Sequence, residues 1–362
     1  MNAAVLTLAL LTPAAPPAKP APAPDVSGNV GKGLKWLAGQ QKKDGSWEGT
    51  NGAAPTSVTA MAGLAFLMEG STPKGGAYAP NIRKAVEWFE AHAAESGKIG
   101  GKDPNEAYQY LQVHANAVLF LACVYDVDDD AVRSKRLRRV LEKGVDFLAT
   151  CQTAGGGWGY ISAKENNGYD DSLSTVLALQ ALFAARRAGI DVPRKLTDRG
   201  TDYLVKATNK DGGVIFTVFG GAVPMGNDGQ PYNTAGAAAA LFMSDGPRPG
   251  TLPLWVRSAH NGNPQLLSYV AGGGTYALLQ QLQVARVYFA LGEHGHRDLD
   301  SKAAKGDFAR WSDYRAGFFK TLAGMQGKDG AWPDQTFGPT YATATSLVIL
   351  QLDNEYLAAF SR

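Results

Sequence analysis

A short pattern recurs along this chain at a fixed period and constrains its fold more than any other feature. In each copy an apolar helical run ends in Gln, a Gly-containing turn follows, and a Trp stands six residues after the Gln. The three full copies carry Gln41 and Trp47, Gln152 and Trp158, and Gln326 and Trp332. A fourth copy keeps the turn but has Thr208 and Val214 at these two positions. Such a period is typical of a protein built from stacked repeats.

The spacing of the copies gives the number of repeats. The Trp positions and Val214 are separated by 111, 56 and 118 residues, which correspond to two, one and two units of about 55 to 59 residues. Six units therefore fill the 362 residues. We expect the two turns without a recognisable copy near residues 97–100 and 272–274, where glycines cluster between helical runs.

Two kinds of helix alternate along the repeats. The helix before each turn carries a polar stripe, as in residues 135–147, and should face water on one side. The helix after each turn is rich in Ala and Leu on all sides, which is typical of a helix that is buried all round. These buried segments are 56–67, 107–123, 172–185, 234–243, 276–291 and 341–352. The sequence predicts an all-α fold of about six helical hairpins with inner and outer rings of helices, an α/α toroid.

The repeated Gln and Trp residues have the chemistry of structural contacts. A Gln near the end of an outer helix can hydrogen-bond exposed backbone at the end of the next repeat's inner helix. The Trp can stack on it and cover the Gly-rich backbone of the turn. We therefore interpret all six residues as fold residues that join neighbouring repeats rather than as catalytic groups.

The first 24 residues differ in composition from the rest of the chain. An apolar run at residues 3–11 is followed by a Pro/Ala-rich tract up to residue 24, an order that resembles an export signal followed by a linker. The apolar run is too short to span a bilayer, so we expect no transmembrane anchor there. We expect an exported protein, periplasmic or secreted, with a disordered Ala/Pro tail as the alternative. The toroid should occupy residues 25–362, with a Pro/Gly-rich insertion at about 244–274 as a candidate lid or partner loop.

Charge and cysteine content exclude several classes of partner. Lys and Arg total 35 against 33 for Asp and Glu, and the charges are interspersed, so the chain lacks the basic patch of a nucleic-acid-binding protein. Cys123 and Cys151 flank a predicted helix of about 30 Å, which is too long for a disulfide. The acidic run at residues 126–130 lacks the Gly and Glu of a calcium loop and is interpreted as a solvated helix N-cap. We expect neither a metal site nor a cofactor.

The Gln-turn-Trp segments resemble the QW repeats of squalene and terpenoid cyclases and of protein prenyltransferases, including prenyltransferase and squalene oxidase repeat proteins. The resemblance runs from about residue 30 to the end of the chain. It implies an α/α toroid with a central cavity for an apolar, isoprenoid-like ligand. The zinc ligands of the prenyltransferases and the Cys-Gly-Glu-Gln thioester segment of the complement-family toroids have no counterpart here.

The catalytic acid of the related cyclases is missing. The segment around Asp171 resembles an inner-helix start of squalene-hopene cyclases, where an Asp-x-Asp-Asp-Thr-Ala motif supplies the proton. Aligning that threonine with Thr175 places the second and third Asp on Leu173 and Ser174. Asp170 and Asp171 remain as catalytic candidates, but adjacent residues on a helix point about 100° apart. The alternative role is to cap the helix that begins at Ser172.

The starts of the buried helices carry residues that could line a central cavity. Aromatic rings there could surround an apolar ligand. The candidates are Tyr108, His114, Thr175, Tyr232, Tyr276 and Tyr341, with the polar residues Asn233 and Gln280 beside two of the tyrosines. The alternative for each is packing between inner helices, and His114 has the surroundings of a satisfied core histidine.

Three classes of function remain open. The first is an exported cyclase-like enzyme, an isomerase or lyase, acting on an apolar molecule. The second is a noncatalytic toroid that binds a small ligand or a protein. The third is a carbohydrate-active enzyme, because six-hairpin helical rings also support sugar chemistry with paired carboxylates. The position of the Asp171 carboxylate relative to the cavity discriminates between them.

Overall fold

A computed structural model describes residues 23–361 except 101–102, 105, 220–227, 247, 272–276 and 300–309, so the N-terminal export-like segment lies outside it. Helices of the outer ring are α1 (Ser27–Gly39), α3 (Ala79–Ala91), α5 (Ala131–Cys151), α7 (Arg194–Lys206), α9 (Leu252–Ala271) and α12 (Trp311–Gly324). Those of the inner ring are α2 (Pro55–Met68), α4 (Tyr110–Val127), α6 (Ser172–Arg187), α8 (Pro231–Met243), α10 (Ala277–Leu291) and α13 (Pro339–Leu350). A short helix, α11 (Gly295–Leu299), lies between α10 and α12.

The inner helices form a closed ring. Each packs against the inner helix of the repeat before it and of the repeat after it, and α13 packs against α2. Their side chains are buried on nearly all sides, as the absence of a polar stripe predicted. The α/α toroid of six hairpins is therefore confirmed.

The turn of the third repeat shows how the Gln and Trp residues act. The indole N–H of Trp158 donates to the carbonyl of Leu148 on its own outer helix at 2.8 Å. The amide of Gln152 donates to the carbonyls of Gly156 in its own turn and of Leu196 in the first turn of the next outer helix. Gln41 and Gln326 repeat this pattern, and Gln326 bonds Asn29 of the first helix, which closes the ring. The Gln therefore reaches the next outer helix, and the expected bond to an inner helix is wrong.

Glycines on the outer helices receive the Trp rings. A Cβ placed on Gly200 would lie only 2.8 Å from a ring carbon of Trp158, and one on Gly33 equally close to Trp332. The missing methyl groups let these two indoles pack directly on the backbone of the next outer helix. The sequence predicted that the ring would cover the glycines of the turn, and this contact with an outer helix was not foreseen.

A further contact recurs in the turns. The backbone N–H at the Trp position donates to a hydroxyl of the following inner helix at 2.8 to 3.0 Å. The acceptors are Thr59, Thr175, Thr234 and Thr343. In the second repeat His114 takes this place, and its Nδ1 accepts from Ile99 at 3.0 Å. This second hydrogen bond holds each of these turns against its inner helix.

The expected insertion at 244–274 is corrected, because most of it forms α9, the outer helix of the fifth repeat. Trp255 is fully buried and its indole N–H donates to Thr208 at 2.8 Å. It thus fixes the degenerate fourth turn, where Val214 replaces the Trp. Residues 272–274, where the fifth turn was expected, lie outside the described residues.

Within the part of the chain that the structure describes, one helical segment, Ala107–Val127, is long and apolar enough to cross a membrane by length and composition. Its apolar window is 72% buried within the protein. Burial in the ring accounts for its apolar character, because it contains the inner helix α4.

Candidate central cavity

A cavity of about 80 Å³ lies inside the ring of inner helices. Its lining is mainly apolar, with amide and hydroxyl groups at one side. The lining residues are Ala54, Ser57, Met61, Gln109, Gln112, Val113, Asn116, Leu173, Leu177, Leu279, Phe337 and Tyr341. An enclosed apolar cavity of about 150 Å³ holds a benzene molecule. The space therefore fits part of a small molecule rather than a whole folded triterpenoid chain.

The polar groups on the α2, α4 and α6 side of the cavity are paired with one another. Asn116 donates to the hydroxyl of Ser57 at 3.0 Å, and Gln112 donates to the hydroxyl of Ser174 at 2.9 Å. Each bond joins neighbouring inner helices. The described lining contains no carboxylate, so this wall offers neutral hydrogen-bonding groups and apolar side chains.

Two residues in the segment that leads into α2 have a left-handed backbone conformation, and one of them lines the cavity. Ala54, which precedes α2 and lines the cavity, adopts a left-handed conformation with φ 48° and ψ 47°. Three residues earlier, Asn51 also has a positive φ of 58°. Such conformations cost about 1–3 kcal/mol for residues other than glycine and cluster at ligand sites. This observation favours the cavity as the functional region.

Asp171 caps α6, which confirms the capping interpretation of the sequence. Its two carboxylate oxygens accept from the backbone N–H and the hydroxyl of Ser174, at 2.8 and 2.7 Å. Leu173 and Leu177, four residues apart on the same helix face, line the cavity, whereas Asp171 and Thr175 lie on another face toward Trp158. Burial raises the pKa of Asp171 to about 7, against the opposing effect of its hydrogen bonds with Ser174.

Asp170 belongs to a separate buried group. One carboxylate oxygen accepts from the hydroxyl of Thr153 at 2.6 Å, and the other has no hydrogen-bond partner. Burial raises its pKa, although the bond from Thr153 acts in the opposite direction. Asp170 and Asp171 thus have different partners, and neither lines the cavity.

The other candidates from the sequence occupy three kinds of place. Tyr341 lines the cavity. Tyr108 is 65% exposed and Tyr232 is half-buried at the start of α8, and neither of them belongs to the lining. Tyr276 lies outside the described residues. Thr175 makes the turn contact with Trp158 described above.

His114 is a satisfied core histidine. Its second ring nitrogen lies 3.1 Å from the carbonyl of Gly144, while the first accepts from Ile99. Complete burial lowers the pKa of His114 to about 4. The ring is therefore neutral at physiological pH and acts in the turn of the second repeat. The sequence did not reveal this role, because the number of residues between the turn and this position differs from repeat to repeat.

A second, more polar cleft of about 440 Å³ lies between the first two repeats, and sequence reasoning did not find it. Its charged groups are largely engaged with their neighbours. Lys42 pairs with Glu48 at 2.6 Å, and Glu106 accepts from both the backbone and the hydroxyl of Thr56. These bonds hold the first turn and the start of α2.

The described residues contain no group of three or more His, Cys, Asp or Glu side chains arranged to hold a metal ion. Asp130 caps α5 by accepting from the N–H of Arg133 at 2.8 Å, as the capping interpretation of residues 126–130 predicted. Cys123 and Cys151 are both buried free thiols.

Solved structures of enzymes that act on different substrates share this fold. The alpha-1,6-mannanase of glycoside hydrolase family 76 from Salegentibacter sp. HEL1_6 aligns with a TM-score of 0.62 at 12% identity, over 90% of this chain and 98% of that chain. A variant of that enzyme with two consecutive aspartates replaced by asparagine is inactive and was solved with alpha-1,6-mannotriose. A type II terpene cyclase from Scytonema, in complex with its geranylgeranyl dihydroxybenzoate substrate, aligns with a TM-score of 0.50 at 15% identity, over 92% of this chain and 98% of that chain.

Comparison by sequence is less informative. No family model matches the chain. The alpha-2-macroglobulin of Thermotoga maritima is 24% identical over 113 residues, which are 31% of this chain and only 7% of that protein. At these identities the comparisons establish the toroid and leave its function to the chemistry of the site.

Proposed function

We propose that this protein is a noncatalytic toroid whose central cavity binds one part of a small apolar molecule that carries an uncharged polar group. The observation that carries the proposal is the lining of the cavity, where apolar side chains adjoin neutral amides and hydroxyls. Ligand sites commonly combine an apolar wall with a few polar groups of this kind. We propose further that the protein is exported, on the strength of residues 1–24 alone.

The shared fold supports a cyclase function, but the positions of the buried carboxyl groups give it little support. Protonating an alkene requires a strong acid aimed at the substrate. Asp171 has the raised pKa of a buried carboxyl, but both its oxygens accept from Ser174 and its helix presents Leu173 and Leu177 to the cavity. Neither carboxylate oxygen of Asp171 therefore faces a molecule in the cavity without rearrangement of the cap.

A carbohydrate-active function is the second candidate, because the mannanase is inactivated by replacing two consecutive aspartates and this chain has Asp170 and Asp171. Glycosidases place two carboxyl groups on either side of the scissile bond. Here Asp170 bonds Thr153 and Asp171 bonds Ser174, and both are buried. Incubation with alpha-1,6-mannotriose tests this function directly. We expect no cleavage, and cleavage that disappears in stable D170N and D171N variants would establish the sugar function instead.

Binding is tested by isothermal titration calorimetry with geraniol, a ten-carbon isoprenoid alcohol, and with alpha-1,6-mannotriose as the sugar comparison. We expect geraniol to bind and to be recovered unchanged. L177F should narrow the cavity and weaken binding by at least tenfold, because Leu177 forms part of its wall. L254F, the same substitution on the outer face of α9, should leave binding unchanged, since Leu254 is 45% exposed. Equal affinity of both variants for geraniol would exclude the central cavity as the site.

A further inference from the structure

Asn233, in the first turn of α8, stands out among the buried polar side chains of the described part of the chain. It is fully buried, and neither its amide nitrogen nor its amide oxygen has a hydrogen-bond partner. The other unpaired buried groups are single hydroxyls or one atom of a larger polar group. An unsatisfied buried amide lowers stability and needs an explanation, such as a missing binding partner.

The packing of α6, α8 and α10 places Asn233 at the level of the cavity. A Cβ built on Gly236 of α8 would lie 2.8 Å from Val176 of α6 and 3.7 Å from Gln283 of α10. These three residues therefore lie at the same height along the axis of the ring. The inner helices run parallel, because each follows its turn at the same end of the ring. Three residues earlier on the same helices stand Leu173, Asn233 and Gln280. Leu173 and Leu279, the neighbour of Gln280, line the cavity. Asn233 and Gln280 lie at the same level but do not belong to its lining.

Gln280 carries a second unpaired group at this level. Its amide oxygen is buried and has no partner. On the opposite side of the ring, the amides of Asn116 and Gln112 are each bonded to a hydroxyl of a neighbouring inner helix. The amides of Asn116 and Gln112 are thus paired within the ring, and so is the amide oxygen of Gln283 on α10, which accepts from Gln180 at 2.8 Å. The two amide atoms of Asn233 and the amide oxygen of Gln280 have no partner.

We propose that Asn233 and Gln280 recognise a carboxamide that the molecule bound in the central cavity extends beyond the lining, between α8 and α10. This inference rests on the proposed binding function and names the polar group of its ligand. A carboxamide both donates and accepts, so it can satisfy the nitrogen and the oxygen of Asn233 together and also donate to Gln280. A hydroxyl group satisfies fewer of these atoms. A carboxylate or ammonium group would be buried against neutral amides without a counter-charge, at a higher desolvation cost.

The test uses four probes with one carbon chain: geranamide, geraniol, geranate and geranylammonium. Calorimetry with the wild-type protein should give the tightest binding for geranamide, with about a tenfold advantage over geraniol, and the weakest for the two ions. In N233L the affinity for geranamide should fall about tenfold or more and approach that for geraniol. A wild-type protein that binds geranate or geranylammonium as tightly as geranamide would overturn the inference.

The melting temperature of the unliganded protein provides an independent measurement. N233L should melt at the same temperature as the wild type or higher, because leucine removes two unpaired polar atoms at similar volume. N354L is the control for an amide that is paired within the protein, since the amide of the exposed residue Asn354 donates to the carbonyl of Met68 at 2.8 Å outside the cavity. It should melt lower than the wild type and bind geranamide normally. A comparable loss of melting temperature in N233L would show that Asn233 is satisfied within the protein and would overturn the inference.

The two proposals fail in different ways. If none of the probes binds, the binding function is overturned and this inference with it. If geraniol binds and L177F blocks it, but geranamide has no advantage and N233L has no effect on its affinity, the cavity is a ligand site and only the role of Asn233 and Gln280 is wrong.

Discussion

The buried cap of α6 predicts an unusual dependence of stability on pH, which D171N should abolish. The pKa of Asp171 is about 7 in the folded chain against 3.8 for an unperturbed aspartate. Because the folded value is the higher one, the folded chain retains a proton that the unfolded chain releases between about pH 4 and pH 7. The contribution of Asp171 to the unfolding free energy should therefore fall as pH rises through this window. His114 acts in the opposite direction, so the effect is measured as the difference between the wild type and D171N. The difference of about 3 pKa units corresponds to about 4 kcal/mol in all, of which about 3 kcal/mol falls between pH 5 and pH 8.

Urea unfolding of the wild type and of D171N at pH 5, 6, 7 and 8 measures this effect. Asparagine caps helices about as well as aspartate and stays neutral, so the variant should be within about 1 kcal/mol of the wild type at pH 5 and more stable at pH 8. D130N is the control, because Asp130 caps α5 through a bond of the same length but is exposed, with a pKa that its bond from Arg133 lowers. It should change nothing in the pH dependence over this range. Parallel profiles for the wild type and D171N would refute the reasoning, since they would mean that Asp171 is ionised throughout.

Three further predictions concern the turns and the N-terminus. The pKa of His114 is lowered to about 4, so its contribution to stability is present above about pH 6.5 and is lost as pH falls toward 4. The variant H114T supplies the hydroxyl found in the other repeats and does not titrate. In urea unfolding it should lose up to about 3 kcal/mol less stability than the wild type over this pH range. Q326A should lower the unfolding free energy by about 1–3 kcal/mol, because Gln326 bonds Asn29 across the ring closure. Expression in a Gram-negative bacterium should yield a periplasmic protein shortened within residues 1–24, measured by fractionation and N-terminal sequencing; a cytoplasmic chain that retains Met1 would contradict export.

The ring could be predicted from sequence because its signals are local. Gln, turn and Trp stand at fixed spacing within each copy, and the buried helices show no polar stripe, so period and composition together give six hairpins. The Gln partner was misplaced, because a Gln side chain can reach any exposed carbonyl and only the packing of the repeats decides which carbonyl is near. The segment at 244–274 was misread for a similar reason. Its prolines and glycines obscured α9, where Trp255 supplies the aromatic ring that the fourth turn lacks.

The threonine contact was missed because its spacing varies. The acceptor follows the donor by 12, 15, 17, 20 and 11 residues in the five described turns, since the loop before each inner helix differs in length. A search at fixed period cannot find such a contact. The turn and the helix nevertheless meet at the same point in space, which explains how His114 can replace a threonine.

Asp171 illustrates why the candidate site was harder to predict than the fold. Its residue type, position at an inner-helix start and raised pKa all match those of a catalytic acid. What distinguishes the two roles is direction, because a capping aspartate turns back to the N–H groups of its own helix and presents the residues that follow it to the cavity. On α6 those residues are Leu173 and Leu177, so the helix contributes an apolar wall. A buried acid with a raised pKa therefore indicates a catalytic group only when its oxygens are also free to reach the bound molecule.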